Sequence, residues 1–118
     1  MDSHEKSLFC ARLACDKKAE NLVILELKGL SALADYFIIC GGTSDRHVQA
    51  IASHIEISLK EKGFLALGIE GIREGKWVLL DYDDVIIHVF QEKERMFYDL
   101  ESLWTECSRI PFLEAGEQ

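Results

Sequence analysis

The chain has 118 residues, 48% of them apolar, and a formal net charge of −8. That length suits one domain burying roughly two thirds of its unfolded surface without help from disulfides or metal. The acidity argues against a binder of phosphate backbones, because such proteins gain affinity by releasing counterions with Lys and Arg. It favours a basic protein partner, with plain solubility as the simpler reading.

No apolar run approaches the ~20 residues of a membrane span. The opening MDSHEKSLFCARL lacks both a basic region followed by an apolar one and the Arg/Ser-rich character of a transit segment. A cytoplasmic protein with no membrane partner is expected. Four cysteines (Cys10, Cys15, Cys40, Cys107) show no CxxC pair, and no histidines stand at ligand spacing. They read as small buried hydrophobes in a reducing compartment, with no metal and no cofactor.

In chain order, 4–20 predicts a helix with Leu8, Ala11, Cys15 and Ala19 on one face, stopped at Asn21. LVILEL (22–27) is a strand, and a turn over Ser31–Leu33 leads into a second strand, Tyr36–Cys40. FIIC within it is apolar on both faces and predicts a central, doubly covered strand. Thr43 or Ser44 can cap the next helix, 44–62, whose stripe is Val48, Ile51, Ala52, Ile55 and Leu59. FLALGIEG (64–71) is a short strand, and WVLLDY and VIIHVF then form a hairpin across an acidic turn. The pattern Met96, Phe97, Leu100, Leu103, Trp104, Cys107 predicts a last helix over 92–107. Residues 113–118 read as an acidic tail.

The order α-β-β-α-β-β-β-α predicts an α+β (α/β) fold in a single domain over 1–118. Its sheet is mixed and roughly five-stranded, with helices covering it.

Few patterns carry chemistry. Gly41-Gly42-Thr43-Ser44-Asp45 precedes a helix N-terminus, which suits phosphate, yet it is neither GxGxxG nor a P-loop and lacks the basic residue that usually completes one. A capped strand-to-helix turn is the stronger reading. Asp81 and Asp83 have the spacing of a Mg²⁺ pair, and with GGTS they define the alternative function, a small Mg-dependent nucleotidyl- or phosphoryl-transferase. Their place in a turn favours local backbone bonding instead. His88 has no nucleophile motif to serve. Strand alternation puts Ile86, His88 and Phe90 on one face, so with Trp77 and Tyr82 the histidine belongs to an aromatic and polar patch.

Three blocks, ADYFIICGGTSDRHVQAIA (34–52), GIREGKWVLLDYDDVIIHVF (71–90) and FYDLESLW (97–104), give the chain a family resemblance. In order and spacing it resembles the Iojap/RsfS family of ribosomal silencing factors, over roughly residues 8–106. The departures are mild: Asp83 stands where members often have Gly or Asp, and Met96-Phe97 where aromatic pairs are common. The resemblance implies a nucleotidyltransferase-like fold without the catalytic carboxylates, and a non-enzymatic role. It implies binding to ribosomal large-subunit protein 14 with little direct RNA contact. The bound factor then blocks joining of the large and small subunits, repressing translation when nutrients are scarce. Within the matched block, Trp77 and Tyr82 are expected as aromatic anchors. Asp81, Asp83 and Asp84 are expected to face the partner's basic side chains, with His88 and Phe90 extending the patch. A homodimer in the free state is compatible with this.

Overall fold

The computed structural model describes residues 1–112, so the expected tail at 113–118 lies outside the described residues. Asp2 caps the first helix, α1 (Ser3–Asp16), in a reciprocal capping box with Glu5. The helix ends at Lys17, earlier than its pattern suggests, because Lys18 and Asn21 take left-handed conformations (φ 61° and 50°) that turn the chain into β1 (Glu20–Glu26). Its expected face is buried in part, at Ala11 and Ala19. Ser3, Ser7, Cys10 and Ala14 face inward, and Leu8 and Cys15 are only partly covered. Small side chains let α1 lie close against its neighbours.

β2 (Tyr36–Gly42) is buried at all seven positions, as its doubly apolar pattern requires. It pairs antiparallel with β1 and parallel with β5 (Val85–Gln91), and α2 (Asp45–Glu61) lies in the chain between β2 and β5. Ser44 caps α2 by accepting the His47 N–H at 3.1 Å. The stripe Val48, Ile51, Ala52, Ile55 and Leu59 is wholly buried. Each large aliphatic of that stripe contributes about 2 kcal/mol by leaving water.

β3 (Gly68–Glu70) is shorter than the run that announces it; it pairs with β4 (Trp77–Asp81), which pairs in turn with β5. Gly71 has φ +84°, and a Cβ there would stand 2.0 Å from the Trp77 carbonyl oxygen. Only glycine allows this crossing of β3 into β4.

The last segment departs most from expectation. α3 spans only Glu92–Tyr98, because Asp99 adopts a left-handed cap (φ 43°, ψ 49°). A 3₁₀ turn (Leu100–Trp104) follows, then β6 (Ser108–Arg109), which pairs with β1. The sheet is therefore six-stranded, in the order β3-β4-β5-β2-β1-β6, and mixed as predicted. One face packs Ile38, Cys40, Val78, Leu80, Ile87 and Val89 against α1 and α2. The other carries Leu25, Leu27, Phe37, Ile39 and Phe90 beneath Leu100, Trp104 and Cys107 of the last segment. Burial holds the thiols of Cys10 and Cys40 up at about 12, unreactive at neutral pH.

Candidate functional site

Strand parity decides which candidate residues meet. Trp77, Leu79 and Asp81 alternate onto the sheet face away from α1 and α2, and cross-strand pairing sets them beside Phe90, His88 and Ile86. Trp77 stacks on Phe90 at 4.7 Å between ring centroids, and the Tyr98 ring lies 4.8 Å away on its other flank. Inward across the sheet, His88 lies 4.8 Å from Phe37, which Trp104 meets edge-on at 5.9 Å. These rings form a continuous aromatic array from β4 to the last segment. The last segment roofs only its β1–β2 side. Trp77, Leu79, Asp81 and Ile86 remain half-exposed, and a cleft of about 260 Å³ opens beside Trp77 and Leu79.

Tyr82 does not join this array. It is 4% exposed and sits in the core on the α1–α2 side, so the two expected anchors lie on opposite faces. The reason is parity: Trp77 and Tyr82 are five residues apart, an odd step along a strand. Burial also raises the Tyr82 hydroxyl to about 12. Phe90 is fully buried and supports the Trp77 ring from beneath instead of extending an open patch. His88, at 4% exposure, is likewise sealed in. Its Nδ1 accepts the Trp77 indole N–H at 3.2 Å, and burial depresses its pKa to about 4, so the ring is neutral.

The three turn aspartates diverge in role. Asp81 Oδ1 accepts the Asp83 backbone N–H at 2.8 Å. Asp83, at φ 72°, forms the exposed tip of the turn. Asp84 pairs with Lys6 of α1 at 2.8 Å, and that ammonium also lies 4.6 Å from the Phe64 ring centroid. Asp84 is thus an internal strut, and only Asp81 and Asp83 have carboxylates not tied to a distant residue. Among the described residues no group of three or more acidic, Cys or His side chains is placed to hold a metal ion.

The GGTSD turn is also occupied by its own chain. Thr43 N–H donates to His47 Nδ1 at 2.8 Å, and His47 Nε2–H donates to the Lys17 carbonyl at 2.7 Å. Asp45 accepts from Gln91 and lies 3.5 Å from Lys76. A Cβ on Gly42 would meet Val48 Cγ2 at 2.8 Å, so that glycine serves helix packing. The turn's donors hold a helix start together; they do not form a phosphate cradle.

The exposed residues of the last segment are not legible in the sequence pattern. That pattern puts Met96, Phe97 and Leu103 on a buried helical stripe, yet Phe97 is 80% exposed and Leu103 71%. The signal available was Asp99, one of the few residue types that accepts a left-handed helix stop.

Residues 1–118 match the profile of a family described as "Ribosomal silencing factor during starvation". The chain is 47% identical over 106 residues to the ribosomal silencing factor RsfS of Bacillus subtilis, covering 88% of this chain and 90% of that one. It is 33% identical over 109 residues to the chloroplastic protein Iojap of Arabidopsis thaliana, covering 91% of this chain and 45% of the longer plant protein. A crystal structure of a Chromobacterium violaceum protein superposes with a TM-score of 0.87 at 34% identity, covering 95% of this chain and 92% of that one.

Proposed function

Because the chain belongs to the RsfS family of ribosomal silencing factors, we propose that it binds ribosomal large-subunit protein 14 and blocks large- and small-subunit joining by occupying space. The observation that carries this reading is the half-roofed aromatic face: Trp77, Leu79, Asp81 and Ile86 stay accessible on a rigid sheet. A net charge of −8 suits a basic ribosomal protein and repels rRNA. The mechanism needs no catalysis. Complementarity over an ordinary interface places the factor where the small subunit must dock, and repression follows from exclusion. In this account the protein acts in the cytoplasm, and free copies cover the same face by pairing with one another.

Trp77→Ala tests the reading against isolated protein 14. The ring is half-buried, so stability falls by about 2 kcal/mol; affinity per folded molecule falls by at least about tenfold. Unchanged affinity per folded molecule would make Trp77 a core residue only and remove the aromatic face from the contact.

A further inference from the structure

α3 carries no fully buried residue, and Met96 and Phe97 stand on its open side, while Arg95 and Tyr98 hold the helix to the rest of the fold. Met96 is 74% exposed, and with Phe97 and Tyr98 it lines a shallow apolar hollow of about 400 Å³. This hollow is continuous with the array below, because Tyr98 packs on Trp77. On the opposite flank of α3 lies a cleft of about 290 Å³, lined by Glu20, Gly41, Gly42, Glu92, Asp99 and their neighbours. Arg95 lines it as well: its Nε donates to Glu101 Oε1 at 2.9 Å, while its buried Nη1 has no hydrogen-bond partner among the described residues; outside the cleft, Arg109 lies 3.7 Å from the other Glu101 oxygen. The carboxylates of Glu20, Glu92 and Asp99 have no ion-pair or hydrogen-bond partner among the described residues. Met96 lines both hollows.

We infer that α3 is a docking surface for a basic protein segment. One apolar side chain of that segment rests on Met96, Phe97 and Tyr98, and a neighbouring Lys or Arg enters the acidic cleft. The inference rests on the reading that this chain docks on a basic ribosomal protein, and it assigns much of that contact to α3 instead of the hairpin turn. Charge selects the occupant. A second copy would set Glu92, Glu94 and Asp99 against acidic groups of its own kind, and an RNA would bring phosphates to them. The cleft lies at the small end of the ~300–1,000 Å³ of small-molecule sites, which suits one inserted side chain.

The test measures affinity for isolated ribosomal protein 14 at low and moderate salt, using the full chain, Phe97→Ser and the double variant Glu20→Lys/Glu92→Lys. All three changed positions are exposed, and circular dichroism checks that each variant folds. Phe97→Ser is expected to weaken binding about tenfold at either salt concentration. The charge reversal is expected to weaken it about tenfold at low salt and to flatten the salt dependence. Wild-type binding with both variants within twofold would overturn the inference while leaving the proposed function standing. If both variants lose only self-association in sedimentation, α3 is a self-contact and the inference is equally overturned. Failure of wild type to bind protein 14 or the large subunit would remove the proposed function and this inference with it.

Discussion

The Trp77 indole N–H donates to His88 Nδ1 across the β4–β5 pair at 3.2 Å, and this bond fixes the protonation state beneath the aromatic face. Because Nδ1 accepts, the ring proton sits on Nε2, which is buried with no acceptor among the described residues. Burial also holds the folded pKa near 4, against 6.5 for an unperturbed imidazole.

A pH dependence follows, with a definite sign. Between pH 6.5 and about 4 the unfolded chain binds the proton and the folded one does not, so stability is whole above 6.5 and falls as pH drops through that window. The full loss from this group is on the order of 3 kcal/mol. Urea unfolding at pH 7 and pH 4.5 should show a larger drop for wild type than for His88→Gln, which keeps an acceptor for Trp77. Equal drops would mean that His88 titrates freely.

The Lys6–Asp84 strut should respond asymmetrically. Asp84→Ala strands an almost wholly buried ammonium, and a loss of about 2 kcal/mol is expected, below the buried-pair range because the carboxylate is partly hydrated. Lys6→Met replaces that ammonium with an apolar chain against Phe64 and leaves Asp84 to water, so it should cost less than about 1 kcal/mol. Equal effects in thermal melts would show that the pair contributes mainly through attraction, not through desolvation.

Gly71→Ala should be among the most damaging single-methyl additions in the chain. It forces a positive φ on alanine and drives a Cβ into the Trp77 carbonyl oxygen, together about 3 kcal/mol or more. Gly68→Ala, where a Cβ meets nothing within 4 Å, should change stability by less than about 1 kcal/mol. A tolerant Gly71 would mean that the β3–β4 crossing is looser than the geometry described above.

The transferase alternative predicts Mg²⁺-dependent nucleotide binding at the GGTSD turn. With Thr43 N–H and Asp45 already engaged, calorimetry with ATP and Mg²⁺ should give no binding heat. Saturable heat that Asp83→Asn weakens would restore that reading.

The parts of the fold legible in sequence are those where one period runs uninterrupted. The α2 stripe and the doubly apolar β2 are buried as their patterns require, and Ile86, His88 and Phe90 share a face. The parallel pair followed from the helix between strands. Two failures have physical causes. Residue type groups Tyr82 with Trp77, but an odd step separates them and parity sends Tyr82 to the α1–α2 core. The 92–107 stripe looked continuous, but Asp99 breaks it, so Leu100, Trp104 and Cys107 roof the sheet while Met96, Phe97 and Leu103 face outward. A two-residue strand such as β6 carries no period at all, and its pairing with β1 is purely tertiary.

The most direct test of subunit exclusion is sedimentation through a sucrose gradient with purified large subunits, with and without added small subunits. The account predicts that the protein travels with the large subunit and reduces the joined-ribosome peak as its concentration rises, with Trp77→Ala weaker in both respects. A protein that stays at the top of the gradient at modest salt, or that rides with fully joined ribosomes, would contradict it.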